Sequence, residues 1–474
     1  MTKKTLVREL TEAGCLVEPD AISSLDEDDV ERILQLSPKP MMVNETFLEN
    51  LQDSGASERS EIVDVRESRR TRVEVEKCFE GHKEEKGVDD FVQYYNDRYQ
   101  RLSSMLSNRM ELTNTVSIAN LDDFSEKDEV SLIGMVRDKY KTGSGKWIIY
   151  LEDTSGETKA LVDEDAGEWI VPDEVIGVAG VKGDDIVFVN EIVRPDIPIS
   201  RDVSSTDEEV YAAFISDMHH GSIDFLEDRM DEFIEWLRSD DEKARKVSYL
   251  FINGDMVEGI GNYPGQREEL RDGAENIYKQ YREFERFVKK IPDDIQIIVA
   301  PGNHDFVRLA EPQPPVPEEL FEEIYDKENI HWVSNPAAVR IHGFDNGGIR
   351  VLLYHGYSFD NHVDEIQELR EKGYEEPHHA MIDYLQRRHL APTFGNSPIA
   401  PHERDYMVID EVPDIFVMGH THAFDVANYK GVNVISSGTM QGQTEFQQRM
   451  GHKPDPGIVA MVNLKTRDTI VKEL

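Results

Sequence analysis

Five short segments in the second half of the chain each join an apolar run to Asp, Asn or His side chains. The segments are residues 212–219, 248–255, 297–305, 351–356 and 415–422. Their apolar runs are continuous and rich in β-branched and aromatic residues, which is typical of strands buried on both faces of a helix-covered sheet. Open α/β folds build their sites at the ends of such strands. The sequence therefore predicts one site where these polar side chains converge.

The side chains at these strand ends are candidate metal ligands. They are Asp217, His219, Asp255, Asn303, His304, His355, His420 and His422. Carboxylate and amide oxygens mixed with imidazoles suit first-row divalent ions such as Mn²⁺, Fe²⁺ or Zn²⁺. No cysteine is among them, which excludes a tetrahedral thiolate zinc site. The set is too large for one ion with an open position. It suits two ions roughly 3.5–4 Å apart, which can lower the pKa of a bound water and clamp a phosphoryl group.

The spacing within two segments indicates how the side chains point. Residues two apart in a strand share a face. Asp217 and His219 would therefore share one ion if the chain stays extended past the strand end, and so would His420 and His422. The glycines before Asp255, Asn303 and His420 allow the tight turns that aim these side chains.

The order of the segments along the chain is D-x-H, G-D, G-N-H-D, a lone H, and G-H-x-H. This order resembles the calcineurin-like metallophosphoesterase superfamily, and every motif is intact. The resemblance implies seven ligands for two divalent ions, which we expect to be Mn²⁺. The implied ligands are Asp217, His219 and His422 for one ion, Asp255 as the bridge, and Asn303, His355 and His420 for the other. His304 matches a catalytic residue that stabilises or protonates the leaving oxygen, and Asp305 is expected to orient its imidazole.

The charge balance is extreme for a globular protein. The 474 residues include 95 acidic and 52 basic side chains, a net charge of −43, and the excess runs through every region. Two interpretations are open: a protein that avoids nucleic acid, and one adapted to a high-salt cytoplasm, as in a halophile. We favour the second, because salt screens the self-repulsion of such a surface. Net charge then does not exclude binding to DNA.

No segment predicts export or membrane insertion. The sequence has no signal peptide and no apolar run of about 18 residues or more. The two cysteines, Cys15 and Cys78, lie in regions that we interpret as separate. They provide no disulfide framework, which fits a reducing, cytoplasmic location.

The length of the chain allows two to four domains. Residues 1–40 are predicted to form a small helical module, with amphipathic patterns at 3–14 and 21–36. Residues 41–112 are predicted to be a linker with a helix near its end, because residues 41–90 are highly charged and poor in aromatics. The basic run 66–72 within the linker could contact DNA, but a solvated linker is the favoured interpretation.

Residues 113–200 change character and predict a small β-barrel. Five short strand patterns with Gly-rich turns resemble an OB fold. OB folds often bind single strands through exposed aromatics, and Trp147 and Tyr150 are candidates. Core positions for both residues, and a protein-docking role for the barrel, are favoured. Residues 205–474 are expected to form the phosphoesterase domain, an α/β sandwich in which helices alternate with strands.

The whole arrangement resembles the small subunit of archaeal family D DNA polymerase over essentially the full length. It combines a helical module, a linker, an OB-fold barrel and an intact calcineurin-like domain. Four local stretches are more specific than the metal motifs: residues 259–266, 387–392 with Gly395, 399–401 and 412–415. The resemblance implies a metal-dependent 3′→5′ exonuclease that proofreads single-stranded or mispaired DNA ends and supports synthesis by a separate large subunit.

Further expectations concern partners and alternatives. Arg387 and Arg388 are candidates for contacts with DNA phosphates, and a surface helix pair is the other interpretation. The helical module would dock other replication factors. Two alternatives to the exonuclease stay open: a non-catalytic scaffold subunit, and a free-standing phosphatase or phosphodiesterase.

Overall fold

The computed structural model describes most of the chain after residue 70 and short parts before it. The described residues are 3–12, 16–17, 22, 30, 33, 42–43, 71–81, 87–344, 347–395 and 397–474. They belong to two units, residues 1–70 and 71–474. Within the helix predicted at 21–36, Val30 and Ile33 are helical and buried. The rest of that prediction lies largely outside the described residues.

The first unit begins with a helix. Helix α1 (Lys3–Glu12) buries Leu6 and Leu10, which confirms the helical pattern predicted there. Strands β1 (Leu16–Val17) and β2 (Met42–Val43) pair in parallel. These paired strands therefore extend beyond residue 40, the predicted end of the helical module.

The second unit alternates strands and helices. Its strands are β3 (Val73–Lys77), β4 (Glu129–Lys141), β5 (Trp147–Asp153), β6 (Gly156–Val162), β7 (Val175–Lys182), β8 (Val187–Val193), β9 (Tyr211–Ile215), β10 (Val247–Asn253), β11 (Gln296–Ala300), β12 (Ile330–Trp332), β13 (Ala337–Ile341), β14 (Ile349–Tyr354), β15 (Ile415–Met418), β16 (Asp425–Tyr429), β17 (Val432–Ser436), β18 (Ile458–Asn463) and β19 (Thr469–Glu473). Its α-helices are α2 (Val88–Leu106), α3 (Glu164–Glu168), α4 (Glu227–Arg238), α5 (Glu242–Lys246), α6 (Ile277–Val288), α7 (Phe359–Glu365), α8 (Gln367–Lys372), α9 (His378–Arg387) and α10 (Glu445–Met450). Short 3₁₀ helices lie at Ile118–Asp123, Gln266–Glu269 and Glu318–Leu320. None of the helices in the described ranges is long and apolar enough to cross a membrane.

Strands β4 to β8 close into a barrel in the order β4-β5-β6-β8-β7. Neighbouring strands are antiparallel except β6 and β8, which run parallel. Aliphatic side chains such as Leu132, Ile149 and Val178 fill the interior. The barrel predicted in residues 113–200 is thereby confirmed, and Trp147 packs against its core.

The remaining strands form two six-stranded sheets with the orders β12-β11-β10-β9-β18-β19 and β16-β17-β15-β14-β13-β3. The two sheets share an apolar core, in which Phe251 of the first lies with Leu353 and Val417 of the second. Helices α4 and α6 cover the outer face of the first sheet, and α7 to α9 cover the second. The result is four layers, which we call the layered domain, and the predicted α/β class is confirmed.

Part of the predicted linker is a strand of the second sheet. Strand β3 pairs antiparallel with β13 and forms the edge of that sheet. Its sequence, Val-Glu-Val-Glu-Lys, alternates with the period of a half-exposed strand, but the charge of the region hid this signal. Glu76 pairs with Arg340 and with Arg350, which holds the edge strand in place. Residues 66–70 of the basic run lie outside the described residues.

Helix α2 connects the barrel to the layered domain through one buried arginine. Arg98 is fully buried, and its guanidinium donates to Oδ2 of Asp405 at 2.7 Å and to the carbonyl of Pro392 at 2.6 Å. It also donates to the carbonyl of Asp173, just before β7, at 3.2 Å. A buried charge is tolerated only when it is paired and hydrogen-bonded. Arg98 therefore fixes the barrel against the layered domain.

Replacing Arg98 by Ala should lower the free energy of unfolding by about 3–5 kcal/mol, because the buried carboxylate of Asp405 loses its arginine partner and keeps only uncharged donors such as His389. Urea unfolding followed by circular dichroism measures this loss. Arg282→Ala is the matched control: its side chain is 52% exposed and pairs with Glu322, so its effect should stay within about 0.5 kcal/mol. Equal losses in the two variants would contradict the role assigned to Arg98.

Candidate metal centre

The predicted ligands follow buried strands that end at one side of the layered domain. In the first sheet, Asp217, Asp255 and Asn303 follow β9, β10 and β11. In the second sheet, His355 and His420 follow β14 and β15. The strands themselves are almost entirely buried, so the site stands on rigid elements. The convergence predicted from the strand ends is confirmed by the distances that follow.

The backbone at five of the predicted ligands is left-handed. The φ angle is 51° at Asp217, 53° at His219, 49° at Asp255, 68° at His420 and 56° at His422. Residues other than glycine rarely adopt this region, and such strain clusters at functional sites. The extended geometry predicted past the strand ends is therefore wrong. Tight turns, and not the two-residue period of a strand, aim these side chains.

The first group of donors consists of Asp217, His219 and His422, all of them buried. Nε2 of His422 lies 3.3 Å from Oδ1 of Asp217 and 3.1 Å from Nε2 of His219. Two imidazole nitrogens that face each other beside a carboxylate direct their lone pairs to a common point. A shared cation is the partner that this arrangement fits.

The second group consists of Asp255, His355 and Asn303. Nε2 of His355 lies 3.2 Å from Oδ2 of Asp255 and 3.1 Å from Oδ1 of Asn303. Nδ1 of His355 donates to the carbonyl of Asn253 at 2.9 Å, which leaves Nε2 free to bind an ion. Oδ2 of Asp255 is also 3.9 Å from Nε2 of His219. Asp255 therefore lies between the two groups, where a bridging carboxylate belongs.

His420 stands at the mouth of the second group. Its ring centroid is 5.5 Å from that of His355, and its Nε2 is 3.3 Å from Oδ2 of Asp360. Its backbone N–H donates to the carboxylate of Asp217 at 3.1–3.2 Å. The structure thus brings six of the seven predicted ligands within short distances of one another and places the seventh, His420, beside them with its Nε2 turned toward Asp360.

The two buried carboxylates are held in their charged form. Burial opposes ionisation of Asp255, but the imidazoles of His355 and His304 outweigh it and hold its pKa well below the ordinary value. Burial likewise opposes ionisation of Asp217, and His422 keeps its pKa lowered. Burial lowers the pKa of the His355 imidazole, but Asp255 outweighs this effect and raises it to about 10. This mixed oxygen and nitrogen donor set fits two divalent ions.

His304 lies beside the two groups and is oriented by Glu258. Its Nδ1 donates to the backbone carbonyl of Glu258 at 2.8 Å, which leaves Nε2 for a substrate. The carboxylate of Asp305 instead accepts from the N–H of Gly302 at 2.8 Å and from the hydroxyl of Tyr281 at 3.2 Å. The predicted contact of Asp305 with the His304 ring is therefore wrong. Asp305 stabilises the turn that carries Asn303 and His304.

Glu258 is a functional residue that the sequence did not reveal. Its buried carboxylate lies 3.0 Å from Nδ1 of His219 and accepts from the hydroxyl of Tyr263 and the amide of Gln266, both at 2.9 Å. Burial raises its pKa, but His219 outweighs that effect and lowers it to about 2. A carboxylate on the outer nitrogen of a metal-binding histidine fixes the tautomer and the ring orientation. In the sequence, its position three residues after Asp255 was the signal that could have identified Glu258 as part of the site.

Arg387 and Arg388 cannot make the predicted phosphate contacts. Arg387 is buried, and its guanidinium pairs with Glu174 of the barrel and with Asp383 at 2.6 Å. Arg388 is also buried and donates to the carbonyl of Ile409 at 2.8 Å. Both guanidinium groups are bound by partners inside the protein. The expectation that they contact DNA phosphates is therefore wrong, and so is the alternative that they form a surface pair.

A cleft of about 280 Å³ opens over the two donor groups. His219, Asp255, Asn303 and His304 line its floor, and aromatic side chains line its walls. The arrangement can hold two cations, place a phosphoryl group against them and present the imidazole of His304 to it. Together, these three capacities suit phosphoester chemistry.

Comparison with known proteins identifies the family of the chain. The sequence model of the family formed by the B subunits of DNA polymerases alpha and epsilon matches residues 212–426. The chain is similar to the DNA polymerase II small subunits of Methanocaldococcus jannaschii, Methanothermobacter thermautotrophicus and Halobacterium salinarum, with 39%, 40% and 40% identity. The alignments cover 80%, 79% and 81% of this chain and 64%, 78% and 74% of those relatives, so less than two thirds of the first relative is matched. At this identity and coverage, the chain belongs to the family of small subunits of archaeal DNA polymerase II, the family D polymerases.

Proposed function

We propose that this protein carries a metal-dependent 3′→5′ exonuclease, which removes nucleotides from single-stranded or mispaired DNA ends during replication. One observation supports the proposal above all others. Two groups of metal donors meet at Asp255 in a single cleft, with His304 beside them. A subunit that only bridges other proteins has no need for buried carboxylates and imidazoles held at these distances, because their desolvation is costly.

Each ligand would have a defined place. The residues that would hold two divalent ions, which we expect to be Mn²⁺, are Asp217, His219 and His422 on one side, Asn303, His355 and His420 on the other, and Asp255 between them. When bound, such ions supply stabilisation of phosphoryl charge and a water of lowered pKa.

The chain's own groups position the reaction. The outer nitrogen of His219 is held by Glu258, so the ring cannot rotate away from the first group. His304 presents Nε2 to the cleft, where it would stabilise or protonate the departing 3′ oxygen. The buried strand ends keep these groups within the small tolerances that catalysis requires.

We also propose a partner. The names of the relatives describe them as small subunits of a polymerase. We infer that this chain assembles with a large subunit that carries polymerisation, and that the 3′ end of the DNA is shared between the two. The first unit, residues 1–70, would be the contact for other replication factors.

Substituting Ala for His304 should reduce 3′→5′ digestion of a 5′-labelled single strand by roughly 10²–10⁴-fold, the usual contribution of a positioned general acid. The assay uses high salt and Mn²⁺, and the readout is the ladder of shortened products. His379→Ala is the control, because its side chain is 35% exposed and pairs with Glu376 away from the cleft. No ladder from the wild type, even with the large subunit present, would favour a scaffold role.

Asp255→Asn should abolish binding of the shared ions. The wild type should be stabilised by Mn²⁺, by about 2.7 kcal/mol at one hundred times the dissociation constant, and should contain two ions per chain by elemental analysis. The variant should show neither effect, because the bridging charge is lost. Asp293→Asn neutralises a carboxylate on a side chain that is 89% exposed, and this variant should behave like the wild type. Two ions in Asp255→Asn would refute the bridging role.

A further inference from the structure

We propose that the cleft holds unpaired nucleobases on two aromatic stacks, and that these stacks select single-stranded ends. The first stack is Tyr263 with Phe446, and the second stack is Tyr374 with His452. The inference rests on the proposed function and names the substrate feature that the same site recognises. All four side chains line the cleft over the metal donors.

The first stack stands beside His304. The rings of Tyr263 and Phe446 are 5.4 Å apart between centroids, and their planes are inclined by 31°. The hydroxyl oxygen of Tyr263 lies 2.9 Å from a carboxylate oxygen of Glu258 and 2.6 Å from one of Glu269, and donating its one proton to either of them fixes the ring. Phe446 is 46% exposed, so part of its side chain is accessible to a ligand.

The second stack stands on the side of His420. Tyr374 and His452 are 4.4 Å apart between ring centroids, with an interplanar angle of 25°. The hydroxyl of Tyr374 donates to Asp360 at 2.7 Å, and the other carboxylate oxygen of Asp360 lies 3.3 Å from Nε2 of His420. This stack is therefore coupled to the second donor group.

One short segment, which includes helix α10, supplies a ring to each stack. Thr444 and Gln447 form a capping box at the start of α10. The side-chain amide of Gln447 lies 2.9 Å from Nδ1 of His422, a predicted ligand. Phe446 and His452 are thus carried by a segment anchored to the metal donors, which sets the distance between a stacked base and its phosphate.

The charge of the cleft explains why stacking is needed. None of the described residues that line the cleft is Lys or Arg. Contacts of cations with the phosphate backbone, which supply most non-specific affinity, are therefore absent from these walls, and salt weakens such contacts in any case. Base stacking on an aromatic side chain tolerates any sequence and does not depend on a basic groove.

The size of the cleft favours an unpaired end. At about 280 Å³, it lies near the lower limit of roughly 300 Å³ for ligand pockets, a size that suits one nucleotide at a time. A paired terminal base is stacked on its inner neighbour and bonded to its partner, so its inner face is not free until the pair is opened. Mispaired or single-stranded ends offer that face at the smallest energetic cost.

The experiment compares two 5′-labelled single strands with the full-length protein and Mn²⁺, one with a normal 3′ end and one whose last two residues are abasic. We expect Phe446→Leu and His452→Ala each to lower kcat/KM on the normal strand by roughly fivefold to a hundredfold, the range for loss of one stacked base. Neither variant should change kcat/KM on the abasic strand. Phe188→Leu is the control, a 47% exposed phenylalanine on barrel strand β8.

Equal losses on both strands, or no loss on either, would overturn the stacking proposal. Metal content and thermal unfolding of the variants verify that the donor groups are intact.

If the wild type degrades neither strand, the proposed exonuclease fails and stacking is judged by binding. Fluorescence anisotropy with Ca²⁺ should then show tighter binding of the normal strand, and this preference should be lost in Phe446→Leu. Equal binding of the two strands by the wild type would refute the stacks.

Discussion

The burial of two carboxylates at the junction of the sheets is the constraint on which the site depends. Asp217 and Asp255 lie in one cluster of donors and are almost inaccessible to water. Removing such ions from water costs several kcal/mol each unless opposite charges and hydrogen bonds compensate. The imidazoles of His355 and His422 provide that compensation. The strand ends, the strained turns and Glu258 all serve to hold these partners in place.

Buried charges elsewhere in the molecule are also compensated by opposite charges. The chain has nearly twice as many acidic as basic side chains, 95 against 52, so cations are scarce. Two buried arginines pair with buried carboxylates: Arg98 with Asp405, and Arg387 with Glu174 and Asp383. These pairs fix the barrel to the layered domain, and they leave the walls of the metal cleft to aromatic side chains.

Local patterns were enough to predict which side chains converge at the cleft, because each of them follows an apolar strand at a short distance in sequence. The barrel and α2 were predictable for the same reason. The sequence could not reveal features that depend on distant partners. Arg387 resembled a surface cation until its partner Glu174 was placed beside it, and β3 was hidden because its alternation lies in a highly charged region. The left-handed turns at Asp217 and His219 follow from tertiary hydrogen bonds, which no local propensity encodes.

Those left-handed turns bear on how the proposed metal centre would take up its ions. The protein's own backbone makes the bonds that hold them: the N–H of Asp217 donates to the carbonyl of Gly254, and that of His219 to the carbonyl of Asp255, both at 3.0 Å. The ligand loops therefore acquire their shape when the chain folds, and ion binding does not have to order them. The proposed metal centre would therefore release one divalent ion and accept another without rebuilding its loops, and the cell's supply of metals, more than the protein's conformation, would determine which ion it carries.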